Sequence, residues 1–223
     1  WEATLFLGGI VAGATAADRT TTLTSPPRLL WSTLRHGPFP WALNRHLRRA
    51  VATARARFAG PLTYAALSFE SVGWRPFDVV GVDHYRSGEP LDAWAERIAE
   101  RRRHGKPVVL TELGCATYAG AAARGALAWT VVDRGSDPPR LREPVVRNER
   151  AQAEEVGALL DAAETAGADA VFVFTYAAFS YPHRPEPEHD LDTAGYGLMA
   201  VLPDGSLRRK AAFDAVARRF TAR

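Results

Sequence analysis

Cysteine and methionine are almost absent from this sequence of 223 residues, which holds Cys115 and Met199 as single copies. One cysteine excludes an internal disulfide framework and any metal centre built from several thiolates. It is compatible with a cytoplasmic setting without fixing one, so the localisation stays open. With its methionine at position 199, the chain does not open on an initiator. It opens on the apolar stretch Trp1 to Phe6, which reads as interior. The chain is therefore expected to be a fragment of a longer protein, with any leader upstream. Long apolar runs are missing too. None approaches the ~18 residues that would cross a bilayer, and no membrane partner is expected.

Charge of one sign is not in excess. Lys and Arg number 28 and Asp and Glu 25, for a net charge of +3 and a pI of about 9.3. Much of the base is arginine on alanine-rich helices, including Arg45, Arg48, Arg49, Arg55, Arg57 and Arg101 to Arg103. Solvated helix faces account for it. Nucleic-acid binding is the sharper alternative, but the aromatic and basic interleaving that stacks bases is lacking, so no such partner is expected. Gly8, Gly9 and Gly13 lack the spacing of a phosphate cradle.

What is present alternates between strand and helix patterns. Residues 1–16 read as a strand end and a glycine-rich loop; if Trp1 closes that strand, Glu2 sits at its carboxyl end. Asp18 to Pro27 reads as a polar loop and 28–35 as a short helix. Residues 41–58 form an amphipathic helix with Leu43, Leu47, Val51 and Ala54 at helical spacing. Apolar strands follow at 62–67 and 77–82, the second ending in Asp83-His84-Tyr85. The nine-residue connector 68–76 is short for a parallel crossover and would need a helical turn over Glu70 to Trp74. Helices are predicted at 91–104, 119–132, 146–166 and 208–221, strands at 108–110 and 170–176, and a long polar loop up to about residue 195. Leu91, Trp94, Ile98 and Ala99 should face inward on the first of these helices. Continuous apolar strands between helices imply a parallel sheet covered on both faces. No repeat or linker marks a second domain.

The stretch KPVVLTELGCA, residues 106–116, stands out. An apolar β-branched run delivers one carboxylate, Glu112, into a Leu-Gly turn, a common way to hold a reactive acid at a barrel rim. The alternative is a strand end whose glutamate caps a helix or pairs with a surface base.

Taken in order, Glu-x-Thr-Leu-Phe before a Gly-Ile loop, TYAA, FDVVGVDHYR, KPVVLTELGCATYAGAA, FVFTY and HDLDTAGYG resemble a group of clan-A glycoside hydrolase-like TIM barrels. Members often carry the label hypothetical or abortive infection protein. The resemblance runs from Glu2 to Phe213. It implies an α/β fold, a (β/α)8 TIM barrel here lacking its first three strands, with residues 1–223 as one barrel domain holding strands four to eight. In clan A the acid/base glutamate ends strand four and the nucleophile ends strand seven. Glu2 matches the first position and Glu112 the second. Residues 62–67, 77–82 and 170–176 then match strands five, six and eight. Many clan-A enzymes carry Asn before the acid/base glutamate, where this chain has Trp1.

The activity so implied is retaining hydrolysis of an O-glycosidic bond in a carbohydrate substrate. It needs one protonated and one ionised carboxyl, about 5–5.5 Å apart. Glu112 must stay ionised and needs donors; Tyr85 is the expected hydrogen-bond partner, with His84 as the alternative. Glu2 as the acid would need a less polar setting, which Trp1 or Phe6 could supply. Asp83, His84 and Tyr85 are candidates for substrate binding. Tyr176 and Phe179, at the strand-eight match, are candidate sugar platforms where clan-A enzymes often place Trp; rim packing is their other reading. Glu70 reads as a rim ion pair and Cys115 as a small buried thiol. His183, His189, Asp190 and Asp192 fit no ligand spacing and read as a polar loop over the site, so neither metal nor cofactor is expected. Two other readings stand beside the glycosidase: a barrel that binds carbohydrate or a partner without turnover, and a metal-dependent hydrolase using the His/Asp loop. An arc of five strands would expose sheet edges, so poor behaviour in isolation is expected.

Overall fold

The computed structural model describes residues 2–7 and 9–221, apart from the side chain of Glu2. The chain forms two compact units, residues 1–83 with 104–107 and residues 84–103 with 108–223. No described helix is long and apolar enough to cross a membrane.

The first unit opens with four helices, α1 (Glu2–Phe6), α2 (Ala16–Thr24), α3 (Pro26–His36) and α4 (Phe39–Arg55). Residues 2–6 are thus helical where a strand end was expected; Trp1 lies outside the described residues. Helix α2 replaces the polar loop expected over Asp18 to Pro27. Its origin is a capping box: the Asp18 N–H donates to the Thr15 hydroxyl, and the Thr15 N–H donates back to the Asp18 carboxylate. The threonines that suggested a loop then turn their hydroxyls onto carbonyls one turn back, Thr20 to Ala16, Thr21 to Ala17 and Thr24 to Thr20. Prolines occupy the first turns of α3 and α4, where a missing N–H costs nothing. Leu43 and Leu47 of α4 are buried.

Two short strands follow, β1 (Ala65–Ala66) and β2 (Val80–Asp83). They pair in parallel, Ala65 with Gly81 and Ala66 with Val82. Both are shorter than the apolar runs predicted. The helical turn expected over Glu70 to Trp74 is not formed. The connector is anchored instead by Glu70, which is buried (3% exposed) rather than on the rim. Its carboxylate accepts from the Thr4 hydroxyl at 2.5 Å, the Tyr64 hydroxyl at 2.9 Å and the Leu67 N–H at 3.0 Å. One side chain thereby ties α1 to the turn after β1.

The second unit contains α5 (Leu91–Arg101), β3 (Val108–Leu113), the small antiparallel pair β4 (Val132–Asp133) and β5 (Arg140–Leu141), and α6 (Glu149–Thr165). After these come β6 (Ala170–Val173), the antiparallel pair β7 (Met199–Val201) and β8 (Leu207–Arg209), and α7 (Ala211–Thr221). Strands β3 and β6 are parallel neighbours, Val109 facing Ala170 and Leu110 facing Val171. Trp94 and Ile98 bury the inner face of α5, whereas Ala99 is exposed. Residues 119–132 coil as short 3-10 segments rather than an α-helix.

Two expectations change here. The run at 170–176 predicted a strand covered on both faces, but β6 lies at the sheet edge and Phe172 is 60% exposed. The polar loop predicted up to about residue 195 is buried from Asp190 onward, and the burial continues through β7 to Val201. The cause is Arg147. Its guanidinium reaches Asp190 at 3.0 Å, Asp192 at 2.6 Å and Glu149 at 2.8 Å, so the carboxylates enter the interior paired. Glu149 also takes Arg208 at 2.7 Å.

Two consequences can be measured. Glu70→Ala strands three donors and is expected to cost about 2–4 kcal/mol in urea unfolding, against about 1–2 kcal/mol for Tyr64→Phe. Burial alone would raise the Glu149 carboxyl, but Arg208 and Arg147 bring it from 4.5 down to about 2. Between those values the unfolded chain binds the extra proton, so stability is full above 4.5 and falls as the pH drops toward about 2. Glu149→Gln should flatten that acid limb of the urea midpoint.

Candidate active site

Glu112 sits on β3, between the fully buried Leu110 and Leu113. Strict alternation would put its side chain on the buried face of Val108 and Leu110, but the register with β6 breaks between Leu110 and Leu113, and Glu112 is left half-buried. The Tyr85 hydroxyl donates to Glu112 Oε2 at 2.9 Å. The backbone is pinned beside it, because the His84 N–H donates to the Glu112 carbonyl at 2.7 Å.

Tyr85 is held by its neighbours. Its ring meets Tyr196 edge-on, with centroids 5.7 Å apart, and Tyr196 in turn meets Phe174 at 6.0 Å. The Tyr196 hydroxyl donates to the Gly125 carbonyl at 2.5 Å and accepts from the Ala128 N–H at 3.0 Å. Burial pushes this phenol well above its ordinary range, so it stays neutral. Next along the chain from Tyr85, Arg86 forms a two-pronged pair with Glu155 of α6, both contacts at 2.6 Å. Gly114 completes the packing: a Cβ there would lie 2.3 Å from the Phe174 carbonyl oxygen, so only glycine lets the chain after β3 approach the end of β6.

The other residues singled out in the sequence are placed as follows. His84 does not turn its ring to Glu112. It is buried, stacked on Trp94 at 4.7 Å, with Nε2 at 3.0 Å from the Trp94 carbonyl. Burial lowers its pKa to about 4, so it packs as a neutral ring, which corrects its reading as an alternative donor. Asp83 is buried at the end of β2, in the first unit. Tyr176 and Phe179 follow β6 with their rings in solvent, 57% and 69% exposed. Glu2 opens α1; its side chain lies outside the described residues.

Cys115 is buried, and burial pushes its thiol up to about 12, far from a reactive thiolate. His183 pairs with Asp190 at 2.9 Å, and His189 bonds the Pro139 carbonyl. Among the described residues no group of three metal-binding side chains gathers. Asp190 and Asp192 are taken by Arg147, so this cluster does not fit a metal.

Tyr196, Arg86, Glu155 and Gly114 support Glu112 without having been singled out as site residues. Their roles depend on contacts between distant segments. Arg86, Gly114 and Tyr196 lie in the stretches FDVVGVDHYR, KPVVLTELGCATYAGAA and HDLDTAGYG, whereas nothing in the sequence pointed to Glu155. Chemically, the arrangement is a carboxyl group at a strand end, steadied by one phenol donor whose own position is fixed from behind. Such a group, when ionised, can attack an electrophilic carbon or stabilise positive charge.

No protein-family model and no curated protein matches the chain. Solved structures do. A GH113 β-1,4-mannanase is 16% identical, with a TM-score of 0.59 over 84% of this chain and 53% of the mannanase. A β-glucuronidase from an uncultured Clostridium sp. is 14% identical, with a TM-score of 0.53 over 98% of this chain and 39% of that one. A structure of fungal β-1,4-galactanases gives 14% and 0.52, over 83% and 57%. The chain spans about half the length of the mannanases it matches. At these identities the likeness is one of fold: this chain shares the α/β fold of clan-A TIM-barrel glycoside hydrolases over about half of their length.

Proposed function

We propose that residues 1–223 belong to a single catalytic barrel domain that hydrolyses O-glycosidic bonds with retention, with β1, β2, β3 and β6 as barrel strands five to eight and Glu2 in the place that follows strand four. Glu112 is its nucleophile and Glu2 its acid/base. The observation that carries this reading is the 2.9 Å hydrogen bond from Tyr85 to Glu112 at the end of a parallel strand. The glycosidase fold of the structural neighbours supports the same class of chemistry.

In the first step a Glu112 oxygen forms a bond to the anomeric carbon as the bond to the leaving oxygen breaks, and Glu2 gives that oxygen its proton. In the second, Glu2 takes a proton from water. The resulting hydroxide displaces Glu112 from the anomeric carbon and restores both carboxyls. Tyr85 holds the attacking carboxylate in line and keeps it ionised. Tyr176 and Phe179 supply exposed ring faces for sugar. The β-linked glycans named for the neighbours are the substrates to try first.

A second reading, carbohydrate binding without turnover, draws on the exposure of those same two rings. Calorimetry that detects glycan binding by a protein inert toward aryl glycosides would favour it.

The test uses the full chain and aryl β-mannosides, β-galactosides and β-glucuronides. Glu112→Gln should lower kcat at least about 10³-fold, and azide should rescue Glu112→Ala as a glycosyl azide. Tyr85→Phe, which removes one donor, should cost about 10²-fold. Full activity in the Gln variant would remove the assignment.

A further inference from the structure

The reaction above makes no use of Lys210, yet this lysine is buried to 1% exposure just before α7. A buried ammonium is unfavourable unless it is paired, so its placement calls for a role. Its Nζ donates to Thr117 Oγ1 at 2.7 Å and stands 3.4 Å from Asp192 Oδ1. Thr117 belongs to the turn that follows Glu112. Its hydroxyl donates onward to the Gly195 carbonyl at 3.0 Å. Its N–H donates to the Thr193 carbonyl at 3.0 Å, and the Lys210 N–H donates to the Leu198 carbonyl at 3.1 Å. Thr117 thus ties the turn after β3 to residues 193 and 195, and the Lys210 backbone holds Leu198 on the other side of Tyr196.

The chain of bonds has a direction. An ammonium can only donate, so it fixes the Thr117 hydroxyl as an acceptor on one side and a donor toward Gly195 on the other. A neutral amine can accept from that hydroxyl, and the buried Gly195 carbonyl then loses its donor. Tyr196, one residue later, carries the ring on which Tyr85 rests.

We propose that Lys210 is a positioning residue for Glu112: by donating to Thr117 it clamps the segment bearing Tyr196 and so sets Tyr85 against the carboxylate. The activity arm of its test rests on the glycosidase reading; the spectral arm does not. Burial lowers the Lys210 pKa to about 8, with Asp192 opposing the shift and Arg147 adding to it. Glu149 faces the same cluster. Asp190, His183 and Arg208 lie one contact further out. Raising the pH through about 8 discharges the lysine, and the Thr117 hydroxyl is then no longer held to donate to Gly195, which loosens the clamp.

The experiment compares the wild type with Lys210→Met and Lys210→Arg by near-ultraviolet circular dichroism, from about pH 6.5 to about 9.5. The wild type should lose aromatic signal with a midpoint near pH 8. The Arg variant should hold the signal across the range, and the Met variant should show the weakened signal throughout, with an unchanged far-ultraviolet spectrum. On an aryl glycoside, Lys210→Met should lower kcat about 10- to 100-fold with little change in KM, and Lys210→Arg should restore it. A wild-type signal that does not move with pH, or a Met variant with wild-type spectrum and kcat, would overturn the proposal. Should the Met variant unfold, the Arg variant decides: an alkaline midpoint shared with the wild type would also overturn it. A protein that turns over no glycoside refutes the enzymatic reading, and the dichroism still decides the clamp.

Discussion

A guanidinium seated among carboxylates governs the interior of the second unit. Without Arg147, Asp190 would be left with His183 and Asp192 with Lys210, and apolar burial nearby could not replace the lost ion pairs. With the arginine in place, the whole stretch from Asp190 to Val201 turns inward. Leu191, Ala194, Tyr196 and Leu198 follow it into the core. Tyr196 then reaches Tyr85, and Tyr85 reaches Glu112. The geometry of the carboxylate is thus set by an ion cluster that does not touch it.

What could be read from the sequence was whatever lies in local pattern. The helices α4 to α7 follow from apolar spacing, and β3 from its apolar run before Glu112. The pairing of Tyr85 with Glu112 was legible because both close consecutive strands in the barrel alignment. Helix α2 was hidden, since threonine-rich composition argues for a loop until the Thr15 and Asp18 cap is considered. The buried segment after Asp190 was hidden for a different reason. Its charges read as a polar loop over the site, and the arginine that pairs with them lies far back in the chain. His84 misled because a strand-end histidine looks chemical, while its ring is claimed by Trp94.

The site combines rigid and open parts. Glu112, Tyr85, Tyr196 and Arg86 are each held by a second contact, so the carboxylate does not have to search for its geometry. Tyr176 and Phe179, by contrast, present their rings to solvent, although the Tyr176 carbonyl is fixed by the Met199 N–H. Fixed backbone with exposed rings suits a surface that accepts flat, partly apolar faces of varied length.

Cys115 gives this arrangement a built-in reporter. It is the single thiol of the chain, and it sits in the turn that Gln152 bridges to the Gly197 carbonyl. While that turn is closed, the sulfur is both covered and protonated. A thiol-directed label can therefore react only in molecules whose turn has opened, and its rate counts those openings. The native chain carries its own clock for the motions of the segment that follows Glu112.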